Sequence, residues 1–121
     1  MIAEALIAAA LAPAYHGRTA EDRPLRINVS GRRVTRVKGS VLAYECAEFG
    51  DVGPVAFDRR VDIPIRRRDG RFSLVVGDRA ERIGVAGVIR GDHLTGRVRM
   101  SGTIATGQRC ASPIVRFRLM R

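Results

Sequence analysis

Apolar and polar residues alternate with a period of two along most of the chain from Tyr15 onward. The segments 25–29, 72–76, 94–100 and 115–119 each place an apolar residue or glycine at every second position. Successive side chains of a β-strand point to opposite faces, so this alternation predicts half-buried strands. No stretch between Tyr15 and Arg121 has a convincing helical period. The pattern therefore predicts an all-β chain.

Turn residues separate these segments at short, regular intervals. Ser30-Gly31 and Gly91-Asp92 predict tight turns, and Asp69-Gly70 is the strongest hairpin signal in the chain. Pro64 donates no ladder hydrogen bond and favours an edge strand. With 121 residues, the chain has no room for a second core of ordinary size. We predict about eight antiparallel strands forming a small barrel or sandwich, in one domain over residues 15–121.

The first fourteen residues, MIAEALIAAALAPA, have a different character. An apolar run from Ala5 to Leu11 precedes Ala12-Pro13-Ala14, the pattern of a secretory signal with cleavage before Tyr15. No Lys or Arg precedes the run, which favours a signal-peptide remnant that has lost its basic region. The alternative is a short Ala-rich helix packed on the domain. The run is too short to span a membrane.

Two cysteines, Cys46 and Cys110, lie far apart in the sequence and form no C-x-x-C pair. Neither a redox motif nor a zinc cluster is indicated. One disulfide between them in an oxidising compartment is the simplest interpretation. The alternative is two buried free thiols in a cytosolic protein. Together with the leader, the cysteines predict a secreted, periplasmic or cell-envelope location.

Several of these motifs occur together in a known group of proteins. The opening Tyr15-His16-Gly17-Arg18-Thr19, the strand and turn at 25–31, and the hairpin at 69–73 resemble small secreted actinobacterial β-domains of unassigned function. Cys46 and Cys110 match the group as well. The resemblance covers nearly the whole chain from Tyr15 and implies a β fold and export. It carries over no catalytic or ligand-binding position.

Catalytic chemistry finds little support in the residues. His16 and His93 are the two histidines, and no Gly-x-Ser-x-Gly elbow is present for a serine triad. The spacing of the histidines matches no metal-binding motif. We therefore predict no catalytic residue, no metal and no cofactor, and the residues favour a binding domain over an enzyme without deciding between them. Convergence of both histidines with an aspartate in a cleft would reverse that interpretation.

The arginines supply the one concrete binding hypothesis. The formal net charge is +10, from 22 Lys and Arg against 12 Asp and Glu. Lys38 is the single lysine, and such a skew is what a GC-rich coding sequence produces, so part of the charge reflects composition. If the last strand pairs with the strand before it, their arginines form a ladder on one face, unless acidic residues are interleaved. A second cluster surrounds the Asp69-Gly70 turn. The candidate anion-binding residues are Arg66, Arg67, Arg68, Arg71, Arg97, Arg99, Arg116 and Arg118.

We expect the chain to be an exported, non-catalytic binding or interaction module whose ligand the sequence does not identify. Guanidinium groups bind phosphates and carboxylates by bidentate contacts, so an anionic envelope polymer or a lipid head group is the expected partner. The alternative is a basic β-barrel that binds nucleic acid or another polyanion through its arginine-rich face. Nucleic acid ranks lower because Tyr44 and the four Phe fall mostly at predicted core positions.

Overall fold

The computed structural model describes residues 14–121, and every strand pairing within them is antiparallel. The predicted leader, residues 1–14, lies outside this range except for Ala14, which begins the first strand. The strands are β1 (Ala14–Arg18), β2 (Pro24–Ser30), β3 (Arg33–Val41), β4 (Glu45–Cys46), β5 (Gly50–Asp51), β6 (Val55–Pro64), β7 (Arg71–Gly77), β8 (Arg82–Arg90), β9 (His93–Thr103), β10 (Arg109–Ala111) and β11 (Val115–Met120).

The eight longer strands follow one another across a single sheet in the order β6-β3-β2-β1-β11-β9-β8-β7. Strand β9 connects this meander to a short branch. One edge of β9 pairs with β8 along most of its length. The other edge pairs first with β11 and then, from Ser101, with β10, which leads on to β4 and β5.

All eight longer strands contribute side chains to one apolar cluster. Tyr15 on β1, Ile27 on β2, Phe57 on β6, Leu74 on β7 and Leu119 on β11 all belong to it. The sheet is therefore curled, with one inner face around a common core and one outer face toward solvent. The alternation of apolar and polar positions in the sequence corresponds to these two faces.

The curled sheet is open, and the predictions of about eight strands and of a barrel or sandwich need correction. Strand β6 pairs only with β3 and β7 only with β8, so the hydrogen-bonded ladder does not close and no second sheet forms among residues 14–121. Two features of β6 oppose closure. Pro64 removes a donor, and Arg59 lies at a core-facing position of the strand. Arg59 forms an ion pair of 3.5 Å with Glu81, which follows β7.

The predicted turns are present, but one of them joins strands that do not pair. Gly31 and Gly91, both with φ of 60°, close the β2–β3 and β8–β9 hairpins as expected. Gly70, with φ of 72°, forms the predicted turn between β6 and β7. Those strands belong to different ladders, so the Asp69-Gly70 signal predicted the turn correctly and the hairpin wrongly.

Cys46 and Cys110 form the disulfide that the sequence predicted. They are direct cross-strand partners on the short strands β4 and β10. Strand β3 ends at Val41, and β4 begins only at Glu45. Between these strands, the Glu21 carboxylate accepts hydrogen bonds from the backbone N–H groups of Leu42 and Ala43. The bond therefore fastens the short branch of the sheet.

Candidate anion-binding surfaces

Four of the predicted arginines share the outer face of two neighbouring strands. Strands β9 and β11 pair as the sequence suggested, and Arg97 lies directly opposite Arg116. Arg118 lies opposite Thr95, and Arg99 is the next outward residue of β9. We call this set the outer ladder: Arg97, Arg99, Arg116 and Arg118.

Among the described residues, no carboxylate forms an ion pair with the outer ladder. Strands β7 to β11 contain neither Asp nor Glu. Within residues 14–121, no carboxylate oxygen lies within 4.0 Å of a guanidinium nitrogen of the ladder. The interleaved acids considered in the sequence analysis are therefore missing, and two like charges face each other across the sheet.

The outer face of β3 and β6 shows the opposite arrangement. Arg36 donates two hydrogen bonds to the carboxylate of Asp58, and Arg33 pairs with Asp62. The hydrogen bond from Arg36 holds the pKa of Asp58 below its usual value, and Asp58 in turn raises the pKa of Arg36. Arg33 and Arg36 on this part of the sheet are therefore paired within the protein.

The second predicted cluster, around the Asp69-Gly70 turn, is partly neutralised. Asp69 lies 3.0 Å from Arg66 and 3.5 Å from Arg71. A groove of about 530 Å³ runs from these two arginines, over small side chains of β7, β8 and β9, to Arg97 and Arg116. The groove joins the two clusters that the sequence analysis treated separately.

The Asp69-Gly70 turn lies at one end of the curled sheet, where neighbouring segments contribute three further arginines. The end is held together by hydrogen bonds between segments that are distant in sequence. The N–H of Ile65 donates to the carbonyl of Arg32 at 2.8 Å, and the N–H of Ile89 donates to the carbonyl of Gly70 at 2.9 Å. The Tyr15 hydroxyl donates to the carbonyl of Gly91 at 2.9 Å. Because these hydrogen bonds hold the turns in place, the backbone positions that carry the side chains are fixed relative to one another.

These turns surround a cavity of about 890 Å³. The apolar part of its lining consists of Tyr15, Val29, Ile65 and Ile89, and we call these four residues the apolar floor. Six arginines line it, and we call them the arginine rim: Arg32, Arg66, Arg67, Arg68, Arg90 and Arg121.

Half of the rim was absent from the sequence-based candidates. Arg67 and Arg68 were predicted as part of a cluster, whereas Arg32, Arg90 and Arg121 were not. A signal for two of them existed, because the Gly31 and Gly91 hairpins share a sequence pattern with an arginine next to each glycine. Strands β2 and β8 run in the same direction across the antiparallel sheet, so the turns that follow them lie at the same end. Their convergence around one cavity depends on how the sheet curls.

The opposite end, which we call the disulfide end, contains β4, β5, β10 and the loops around them. Its carboxylates bind backbone groups. Asp51 accepts from the N–H groups of Gly53 and Tyr44, and these two bonds lower its pKa. The carboxylate of Asp78 accepts hydrogen bonds from the N–H groups of Glu81 and Ala80. These bonds, mainly the one from Glu81, lower the pKa of Asp78.

Three arginines at the disulfide end lie beside the basic outer face and were also missed. Arg79, Arg82 and Arg109 line a depression of about 380 Å³ together with Arg99, and Asp78 lines it too. Arg109 escaped detection because β10 has three residues, too few for an alternating pattern. Arg82 begins β8, one residue before the apolar pattern becomes visible.

The two histidines do not converge with an acidic group. His16 on β1 lies opposite Met120, and Met120 lies opposite His93, so a strand separates the imidazoles. The Nδ1 atom of His93 is buried and has no hydrogen-bond partner. Within residues 14–121, no three His, Cys, Asp or Glu side chains gather as metal ligands would.

Comparison of the chain with protein-family models, curated proteins and solved structures finds no match. The resemblance to small secreted actinobacterial domains therefore stays a prediction. In the described part of the chain, no helix has the length and apolar character needed to cross a bilayer.

Proposed function

We propose that this chain is an exported, non-catalytic domain that binds polyanions through the outer ladder. The observation that carries the proposal is the cross-strand pair Arg97 and Arg116, which has no carboxylate partner within residues 14–121. Like charges placed directly opposite destabilise a sheet. An anionic group bound between them would remove that repulsion and accept charge-assisted hydrogen bonds from both guanidinium groups.

The aromatic residues favour an envelope polyanion over nucleic acid as the ligand. Proteins that bind single-stranded nucleic acid stack bases on exposed aromatic rings. Phe72 and Phe117, on the strands of the basic face, are each 5 % exposed and point into the core. Phe49 is the exposed aromatic residue, and it precedes β5 at the disulfide end. Nucleic acid remains the second candidate, supported by net charge alone.

The cysteines support the exported location. Cys46 and Cys110 are bonded to each other and buried, and the described residues contain no free cysteine. Structural disulfides persist in oxidising compartments. Mass spectrometry of the protein from its native host tests this location. We expect cleavage before Tyr15 and a mass two hydrogens lower than that of the dithiol, whereas an uncleaved chain with free thiols contradicts export.

Titration with inorganic polyphosphate tests the binding function. We expect binding that weakens steeply with added salt, because contacts of this kind are screened. The variant Arg97→Gln with Arg116→Gln should bind at least about tenfold more weakly, since hydrogen bonds to charged groups contribute about 1.5 to 3 kcal/mol.

A matched control removes the same charge from the other part of the sheet. Arg26 on β2 and Arg60 on β6 are exposed and form no ion pair with a described residue. The variant Arg26→Gln with Arg60→Gln should keep polyphosphate affinity within about twofold, because most of the affinity comes from the ladder. Equal losses in the two variants would show that net charge, and not the ladder, determines binding.

A further inference from the structure

We propose that the arginine rim binds a single amphiphilic anion, a phosphate or carboxylate head group that carries an aliphatic chain. The cavity lies at the end of the curled sheet, while the outer ladder lies on its convex face. The inference therefore goes beyond the polyanion function and does not depend on it.

The positive charge of the arginine rim favours an anion as the ligand. Arg66 pairs with Asp69 and Arg121 with Asp92. The other four rim arginines have no carboxylate oxygen within 4.0 Å in the described range. Four arginines that line one cavity offer enough donors to surround a phosphate, whose geometry suits bidentate arginine contacts. These four are Arg32, Arg67, Arg68 and Arg90.

The apolar floor of the cavity favours a ligand that also has an apolar part. Val29, Ile65 and Ile89 line the cavity together with the arginines, and Ile65 and Ile89 are partly exposed. The polar atom of Tyr15 is already used, since its hydroxyl donates to Gly91, and the ring adds apolar surface. A volume of about 890 Å³ is in the range of pockets that hold small molecules. A bare phosphate would contact the arginines and leave this floor exposed to water.

The framework around the cavity is set before any ligand binds. Backbone hydrogen bonds link the β6–β7 turn to Arg32 on one side and to Ile89 on the other. The N–H of Arg121 donates to the carbonyl of Asp92, which fastens the C-terminal residue beside the β8–β9 turn. A framework that is already ordered loses less conformational entropy on binding. Arginines held over an aliphatic floor match a ligand with a charged head and an aliphatic chain.

Calorimetric titration of the oxidised full chain with monomeric octyl phosphate tests the proposal. Octyl phosphate should bind at least about tenfold more tightly than inorganic phosphate, because burial of methylene groups adds to affinity. In a series from butyl to octyl phosphate, each added methylene should strengthen binding about two- to fourfold until the floor is covered. Octanol, which lacks the charge, should bind at least about tenfold more weakly than octyl phosphate.

Two variants locate the site. Arg32→Gln with Arg90→Gln should weaken octyl phosphate binding at least about tenfold. Both side chains are exposed and form no ion pair with a described residue, so these variants keep the fold, as circular dichroism and the disulfide mass can verify. The matched pair Arg97→Gln with Arg116→Gln, on the outer ladder, should change octyl phosphate affinity less than about twofold.

The contrary outcomes are distinct. Affinity that does not rise with chain length would show that the apolar floor has no role and would overturn the proposal. Octanol binding as tight as octyl phosphate, or a larger loss in the ladder variant than in the rim variant, would overturn it as well. Polyphosphate titration of the same proteins separates the two functions. If the wild-type protein binds octyl phosphate but not polyphosphate, the ladder function is refuted and the rim proposal stands; if it binds polyphosphate but not octyl phosphate, the rim proposal is refuted and the ladder function stands.

Discussion

The two ends of the curled sheet use their charged residues in opposite ways. At the disulfide end, the carboxylates of Glu21, Asp51 and Asp78 accept hydrogen bonds from backbone N–H groups and thereby shape the loops. At the other end, four arginines of the rim have no acidic partner within residues 14–121. Local structure explains the carboxylates of one end but leaves these arginines unexplained. Several unpaired charges around one cavity mark the place where a ligand is expected.

The disulfide should produce the largest effect on stability and should not affect the rim. Replacing both cysteines, Cys46→Ser with Cys110→Ser, opens a loop with a sequence separation of 64 residues. The chain-entropy model gives a loss of about 4 kcal/mol in the free energy of unfolding, measured by urea denaturation. Octyl phosphate affinity of the folded variant should stay within about twofold. If rim binding were lost together with the disulfide, the two ends would not be independent.

The glycines of the rim turns should show how tightly that end is built. Gly70 has φ of 72°, and a Cβ at this position would lie 2.3 Å from the carbonyl oxygen of Ile89. Gly31 has φ of 60° and open space around it. Gly70→Ala should cost about 3 kcal/mol, and Gly31→Ala about 1 to 2 kcal/mol, from the left-handed conformation alone. Thermal denaturation of both variants checks the difference, and equal costs would mean that the turn is free to move.

Adding a carboxylate to the rim should make it resemble the disulfide end. Arg90→Glu places a negative charge among the unpaired arginines, and octyl phosphate affinity should fall about tenfold or more. Arg79→Glu makes the same change of charge in the turn before β8, at the disulfide end. Its effect on octyl phosphate affinity should be below about twofold. Similar losses in the two variants would attribute binding to net charge.

The smallest expected effect concerns acid stability at the disulfide end. Backbone N–H donors lower the pKa of Asp51 and of Asp78 in the folded protein. Their stabilising contribution is therefore complete above the pKa of the unfolded chain, which is about 4. The contribution is lost as the pH falls through the lower pKa values of the folded protein. Asp51→Asn with Asp78→Asn should flatten the decline of the urea midpoint below about pH 4. The rim variant Arg32→Gln with Arg90→Gln should keep the decline of the wild type.

Much of the fold follows from local sequence patterns, and the rest depends on long-range geometry. Alternation located the long strands because each has one buried face, and Gly31 and Gly91 marked true hairpins. Strands β4, β5 and β10 are too short to alternate. The Asp69-Gly70 turn could not reveal that its two strands join different ladders, because pairing depends on partners far away in sequence.

The candidate surfaces show the same limit. Arg97 and Arg116 could be predicted as neighbours because each lies on a strand with a clear outer face. Arg32 and Arg90 could not be placed together from sequence, since they lie 58 positions apart and only the curl of the sheet brings their turns to one cavity. Whether a given arginine has a carboxylate partner also depends on register, as the contrast between Arg36 and Arg97 shows.

The most direct measurement is an amide chemical-shift titration of the oxidised protein with octyl phosphate, with glycines reporting on both ends. Gly31, Gly70 and Gly91 lie in the turns of the rim, and Gly50, Gly77 and Gly107 lie at the disulfide end. We predict saturable shifts at the first three and none of similar size at the second three. Shifts at the disulfide end that equal or exceed those of the rim would contradict the assignment of the ligand to the unpaired arginines.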